Sequence, residues 1–109
     1  MLAKSILKSQ RISPIKMRLV ADSIRGLPVA KAMDLLINSP KKGAKIMYSA
    51  VASAVANAEN NHNMDIDLLK IHTVCVDQAA TLKRMHARAR GRGDRILKRS
   101  CHVLVEVSE

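Results

Sequence analysis

Apolar residues in the first half of the chain recur every three or four positions, which is the spacing of amphipathic helices. Ser13 followed by Pro14 predicts a helix start, because serine caps helix N-termini and proline fits the first turn. Gly26 predicts the end of this first helix. Its expected apolar stripe consists of Ile15, Leu19, Val20 and Ile24.

Two more helices are predicted after the first. The second begins near Pro28 and ends at residues 38–40, whose sequence Asn-Ser-Pro is typical of a turn. The third is longer, from about Lys41 to Glu59, and a turn is predicted over residues 60–63. Its many alanines and serines let neighbouring backbones approach closely, which favours a central position. The expected apolar stripes are Val29, Ala32, Met33, Leu36 and Ile37 in the second helix, and Ala44, Met47, Tyr48, Val51, Val55 and Ala58 in the third.

Three segments have the composition of strands. Residues 2–10 are weakly predicted as a short edge strand. Residues 68–76 are β-branched and apolar, which predicts a strand buried on both faces. Residues 101–107 alternate, so that Cys101 and three valines face one way while His102 and Glu106 face the other.

The order of one strand, three helices and two strands predicts an α+β fold. We expect three helices packed on a small three-stranded antiparallel sheet, with a long basic β-hairpin arm. Residues 1–109 are expected to form a single domain. The arm is expected at residues 78–99, because the 24 residues from Asp77 to Ser100 are long for a hairpin loop, and such connections are usually functional or disordered.

The expected arm concentrates positive charge at strand spacing. Residues 82–99 hold eight of the 19 Lys and Arg residues and a single acid, Asp94. On an extended strand, alternate residues lie on one face, about 6.6–6.8 Å apart. Since the segment has almost no apolar surface to bury, we expect a bound polyanion to order it. The expected RNA-binding residues of the arm are Lys83, Arg84, Arg88, Arg90, Arg92, Arg95, Lys98 and Arg99.

Composition narrows the class of partner. The formal net charge of +10 predicts binding to a polyanion. The chain has no Trp or Phe and a single Tyr, so its core must be aliphatic and it lacks the aromatic platforms of RRM and OB folds. We therefore expect it to recognise a folded RNA by phosphate position and shape. A second basic patch is expected on the body at Arg11, Lys16, Arg18 and Arg25.

Other functional classes have weaker support. A DNA-binding architectural protein would often carry an apolar or proline wedge at the arm tip, and no Ile, Leu, Phe or Pro is present there. Cys75 and Cys101 form no C-x-x-C motif, and their spacing to the four histidines matches no zinc site or catalytic pair, so we predict no metal, cofactor or enzyme activity. No 18-residue apolar run or signal peptide is apparent, which predicts no membrane association and a cytoplasmic location.

Three motifs resemble the bacterial-type large-subunit ribosomal protein twenty-two family, over essentially the whole chain. The first is SPIKMRLVADSIRG at residues 13–26, and the second is SAVANAENN at residues 53–61. The third and most specific begins with Lys83, continues with RARGR at residues 88–92 and ends with HVLVEV at residues 102–107.

The resemblance implies a structural protein that binds large-subunit ribosomal RNA, aids subunit assembly and contacts neighbouring ribosomal proteins. It also implies that the hairpin lines the polypeptide exit tunnel and meets the nascent polypeptide, and that the protein is not a homo-oligomer. Many relatives carry proline where His86 or Ala87 stands, so a more flexible tip is expected here. The expected tip residues are Met85, His86, Ala87, Arg88, Ala89, Arg90, Gly91 and Arg92.

Overall fold

The computed structural model describes residues 2–87 and 93–109, and for residues 84–87 and 93–96 it describes the backbone. Within these residues, three α-helices pack on a three-stranded antiparallel sheet of order β1-β5-β2. This arrangement confirms the predicted α+β fold. The elements are β1 Leu2–Gln10, α1 Pro14–Ile24, α2 Val29–Ile37, α3 Lys42–His62, a 3-10 turn Ile66–Leu68, β2 Lys70–Gln78, β3 Leu82–Ala87, β4 Gly93–Lys98 and β5 Cys101–Ser108.

The predicted start of α1 is confirmed, but its apolar stripe was partly wrong. The Ser13 hydroxyl accepts a hydrogen bond from the Lys16 backbone N–H at 3.4 Å, as expected of a capping serine. Ile15 and Leu19, which the stripe included, are 72% and 57% exposed. The buried face is Pro14, Met17, Val20, Ala21 and Ile24. The helix therefore packs through a face that includes the small Ala21.

The second and third helices also differ in detail from the prediction. Ile37, expected in the stripe of α2, is 66% exposed at the last position of that helix. The helix α3 continues through residues 60–62, which were predicted as a turn, and ends at Asn63. Asn63 adopts a left-handed backbone with φ of 52°, a conformation that asparagine tolerates better than most residues and that commonly ends helices.

The helices cover one face of the sheet and leave the other open. The alternation predicted for β5 is confirmed, since Cys101, Val103, Val105 and Val107 are all 0% exposed. The prediction that β2 is buried on both faces was wrong, because its burial alternates along Lys70–Gln78. A single helical layer buries one face of each strand, so the β-branched residues of β2 reflect strand propensity rather than double burial.

The core is aliphatic, as the composition required. Its largest fully buried side chains include Met17, Ile24, Met47 and Leu69. Alanines of α3 contribute to this core, since Ala44, Ala50 and Ala54 are all 0% exposed, and the Ser5 hydroxyl of β1 donates to the Ala50 carbonyl at 2.6 Å. Small residues at these positions let the helix backbone lie close to the strands, which compensates in packing density for the missing aromatic rings.

The hairpin forms a separate two-stranded sheet, with β3 antiparallel to β4 from the Leu82–Lys98 pair to the Ala87–Gly93 pair. Two hydrogen bonds join the two segments of the chain that lead into and out of the hairpin. The Ala79 N–H donates to the Ser100 carbonyl at 3.0 Å, and the Ser100 hydroxyl donates to the Ala80 carbonyl at 2.8 Å. The radius of gyration is 16.9 Å, whereas a compact chain of 109 residues would have about 13 Å. The molecule is therefore elongated.

Candidate nucleic-acid interface

A basic cleft of about 550 Å³ lies where the hairpin meets the body. Three segments that are distant in sequence form it: the start of α1, the start of α3 and the C-terminal end of β4. In the described part of the chain no acidic residue lines this cleft. Six cationic residues do, and they are Arg11, Lys16, Lys41, Lys42, Lys98 and Arg99.

Close packing between α1 and α3 brings the two helix starts together. A Cβ atom added at Gly43 would lie 3.1 Å from Ile12 Cδ1 and 3.2 Å from Val20 Cγ2. These distances are shorter than ordinary carbon–carbon contacts, so a larger residue at this position would require Ile12 and Val20 to shift. The first turn of α3 is thereby held against α1, and the cations of the two helix starts face one cleft.

The electrostatics of the cleft are unusual for helix N-termini. Neither α1 nor α3 has an acidic residue in its first turn, although the helix dipole favours anions there and disfavours cations. The N-cap residue of α3 is Lys41, and no side chain caps this helix. The Lys41 N–H donates to the Ser39 hydroxyl at 3.3 Å and the Ala44 N–H to the Lys41 carbonyl at 3.1 Å, while the positive end of the helix dipole adds to the potential of the cleft. A bound anion would be favoured both by this dipole and by the lysines.

Backbone contacts fix two of the cations. The Lys42 ammonium donates to the Arg11 carbonyl at 3.0 Å, and the Arg11 guanidinium donates to the Arg99 carbonyl at 3.1 Å. These bonds tie α3, the β1–α1 connection and the base of the hairpin to one another. Each cation has further N–H donors, since an ammonium carries three and a guanidinium five. The cleft therefore presents partly preorganised donors to an anionic ligand.

Two of the arginines predicted on the body make contacts of another kind. The Arg18 guanidinium donates to the Val76 carbonyl of β2 at 3.2 and 3.4 Å, and that of Arg25 donates to the Val74 carbonyl at 2.7 Å and pairs with Asp22. Val74 and Val76 lie on the edge strand β2, whose carbonyls would otherwise be open to another strand. Arg18 and Arg25 thus cover a sheet edge. Of the predicted patch on the body, Arg11 and Lys16 line the cleft.

The structure places part of the predicted arm. Lys83 is exposed on β3, while Lys98 and Arg99 are exposed at the end of β4 and directly after it. Arg84 and Arg95 lie on the paired strands, where only the backbone is described. The same holds for the predicted tip residues Met85, His86 and Ala87, whereas Arg88, Ala89, Arg90, Gly91 and Arg92 lie outside the described residues.

Sequence reasoning missed Lys41 and Lys42 as candidate ligands of RNA. A usable signal was present, because two consecutive lysines follow Pro40 at a predicted helix start. Cations at that position weaken a helix through its dipole, so their presence there indicates an external anion. What the sequence does not contain is the packing that brings these lysines to the base of the hairpin.

The described residues give little support for a metal site, a reactive thiol or a membrane-spanning helix. No cluster of three or more His, Cys, Asp or Glu side chains in the described chain could hold a metal ion. Burial raises the pKa of the Cys101 thiol, and the positive charge of Arg18 opposes this shift, so the thiol is protonated at neutral pH. Among the helices that the structure describes, each is too short or too polar to cross a bilayer.

Comparison with protein families gives a match over most of the chain. The family model described as ribosomal protein L22p/L17e matches residues 5–108 of this sequence. The matched range includes the three helices, β2 and β5, the hairpin and every residue that lines the basic cleft.

Proposed function

The chain belongs to the ribosomal protein L22p/L17e family, and from this premise we propose that it is a structural constituent of the large ribosomal subunit that aids subunit assembly. Membership in this family implies a ribosomal protein that binds ribosomal RNA and neighbouring ribosomal proteins. Its place is accordingly the ribosome. We propose that it acts there as a single domain, residues 1–109, and in the cytoplasm.

The single observation that carries the proposal is the convergence of six cations on one cleft without an acid among its described lining residues. With a formal net charge of +10, the free protein repels itself, and a polyanion that enters the cleft would relieve this repulsion. The cations come from two helix starts and from the hairpin base, so one RNA segment could connect the body and the arm. Phosphates suit this arrangement, because they accept hydrogen bonds from lysine, arginine and backbone N–H groups alike.

The finer part of the proposal concerns the arm, residues 78–99. We propose that its tip lines the polypeptide exit tunnel and meets the nascent polypeptide. The longest dimension of the molecule, 62 Å, supports an arm that extends well beyond the body. Its cations would contact the RNA walls along this path. We further propose that the protein acts as a single copy and has neither cofactor nor enzymatic activity.

A binding assay with the full chain tests the RNA partner. A transcript of the large-subunit ribosomal RNA is titrated at several salt concentrations, with duplex DNA as competitor. We expect log K to fall by about 0.7–0.9 per unit of log salt for each phosphate neutralised, and duplex DNA to compete poorly. A flat salt dependence would contradict the electrostatic account. Equal or higher affinity for duplex DNA would instead favour an architectural DNA-binding protein.

Crosslinking tests the placement of the arm. A photoreactive residue at position 92 is incorporated into the full chain, which is assembled into large subunits of translating ribosomes. We expect adducts with ribosomal RNA and, on stalled ribosomes, with the nascent polypeptide. Adducts only with surface RNA or with proteins of the subunit exterior would overturn tunnel lining while leaving RNA binding intact.

A further inference from the structure

The cleft at the hairpin base contains exposed aliphatic surface as well as cations. Leu19 of α1 is 57% exposed and Leu97 of β4 is 41% exposed, and both line the cleft together with Ile12. Phosphates alone would gain nothing from these side chains. Leu19 and Leu97 line the same cleft as the six cations, so the cleft matches a ligand with both an apolar and an anionic part.

The size of the cleft also suits a compact ligand. Its volume of about 550 Å³ falls within the range of roughly 300–1,000 Å³ that is usual for small-molecule sites. The lining combines aliphatic side chains from two elements with cations from three segments. A nucleotide has the matching parts, since its base offers flat apolar faces and its phosphate carries the negative charge.

We propose that this cleft binds one unstacked nucleotide of the ribosomal RNA, with the base against Leu19 and Leu97 and the phosphate held by Lys41, Lys42 and Lys98. The inference rests on the proposed function, because it assumes an RNA partner. Aliphatic contact to the face of a base tolerates any of the four bases, so the cleft recognises an extruded nucleotide by its position in the RNA fold rather than by its identity. Bases that are already out of a helix are the ones proteins bind most readily in RNA.

Two pairs of variants separate the base contact from the phosphate contact. Leu19→Ala removes apolar surface without a change of charge, and Ile15→Ala is its control, because Ile15 is exposed on the same helix but does not line the cleft. Lys41→Ala removes a cation from the cleft, and Lys45→Ala is its control, because Lys45 is exposed one turn further along α3 and does not line the cleft. Each full-length variant is titrated with the ribosomal RNA transcript over a series of salt concentrations.

For the base contact, we expect Leu19→Ala to weaken RNA binding about three- to tenfold, less than the loss of an aromatic platform, with the salt slope unchanged. For the phosphate contact, we expect Lys41→Ala to reduce the magnitude of the slope by about 0.7–0.9. Both controls should bind within about twofold of the wild type. In the wild-type complex, base-specific chemical probing should find one protected nucleotide that becomes reactive in Leu19→Ala.

The outcomes that oppose the inference differ from those that oppose the proposed function. Suppose that the wild type binds and that Lys41→Ala changes the salt slope, while Leu19→Ala binds RNA as Ile15→Ala does. The cleft then holds phosphates only, and the proposed base contact is wrong. If Leu19→Ala keeps full RNA affinity but loses a neighbouring ribosomal protein, the occupant is an acidic peptide segment and the inference is wrong. If the wild type fails to bind the ribosomal RNA, the proposed function itself falls.

Discussion

The body and the hairpin of this protein are stabilised in opposite ways. In the body, side chains such as Met47, Val51 and Val105 are fully buried between the helices and the sheet. In the hairpin, Leu82 and Leu97 are 47% and 41% exposed, and the two strands form a sheet of their own. The body thus folds by hydrophobic burial, whereas the described side chains at the base of the hairpin are exposed and backbone pairing joins its strands. An isolated two-stranded hairpin is marginally stable in water, so we expect the arm to be ordered by a bound partner.

The same contrast divides the cations of the body. Arg18 and Arg25 donate to carbonyls of β2 and so serve the fold. Lys16 belongs to the same helix as Arg18 and lines the basic cleft. Positive charge in the sequence therefore has two uses, and only three-dimensional contacts tell them apart.

Removal of the arm is the change with the largest expected effect on binding. Replacement of residues 84–96 by Asn-Gly would close a short hairpin at the Lys83–Leu97 pair. Five arginines and one aspartate are lost, so we expect affinity for the ribosomal RNA to fall on the order of a hundredfold and its salt slope to become shallower. Filter binding at several salt concentrations measures both quantities.

The stability of the same variant shows whether the two regions are independent. We expect the midpoint of thermal unfolding to shift by no more than about 4–8 °C, which corresponds to roughly 1 kcal/mol. Circular dichroism at 222 nm follows this transition. If the shortened protein lost its cooperative transition, the hairpin would be part of the core, and the two regions would not be independent.

A cavity in the body should produce the reverse result. Met47 is 0% exposed, so Met47→Ala should lower the free energy of unfolding by about 2–5 kcal/mol. Urea denaturation measures this loss, with Met33→Ala at the half-buried position of α2 as the milder control. RNA affinity of the folded protein should stay within about twofold of the wild type. If folded Met47→Ala lost more RNA affinity than this, the body and the binding surface would be coupled.

Neighbouring cations of α1 allow a finer test. Arg18→Ala removes the bonds to the Val76 carbonyl, and we expect it to cost about 1 kcal/mol in unfolding free energy. Lys16→Ala removes a cleft cation and should leave stability within about 0.5 kcal/mol while it weakens RNA binding. Urea denaturation and RNA titration of both variants complete the comparison. If both variants lost only RNA affinity, the contacts of Arg18 to the sheet edge would contribute nothing to the fold.

Much of the fold could be predicted from local signals. Ser13 and Pro14 mark a helix start by their own chemistry, and the alternation in β5 follows from its one buried face. Local patterns failed where contacts with a neighbouring element determine which face of a helix is buried. The large residues Ile15 and Leu19 suggested one face of α1, but packing against the sheet and α3 selected the face that contains Met17 and Ala21.

The candidate site was predictable only in part for the same reason. Lys98 and Arg99 belong to a visible run of charge, so they were found. Lys41 and Lys42 lie about 30 positions from Arg11, and their role depends on the close contact at Gly43. No pattern within one segment reports such a contact. The exposed Leu19 became informative only when the structure placed it in the same cleft as Leu97.

The smallest expected effect concerns the pH dependence of stability, and it comes from the buried cysteine of β5. Cys101 is buried, whereas Cys75 on the open face of β2 is half-buried. Burial raises the pKa of the Cys101 thiol, and Arg18 partly offsets this. In the unfolded chain a thiol has a pKa of about 8.5. Because the folded protein holds this proton more tightly, the contribution of Cys101 to stability is complete below that pKa and is lost as pH rises through the raised folded value.

We therefore expect the unfolding free energy of the wild type to decline more steeply above about pH 8.5 than that of Cys101→Ala, which lacks this thiol. Cys101→Ala should also cost stability at every pH through its cavity, so the comparison concerns slopes rather than absolute values. Urea denaturation at several pH values between about 7 and 10 measures them. Parallel curves for the wild type and Cys101→Ala would mean that the body does not hold the proton of this thiol, and that burial in its core is weaker than the fold indicates.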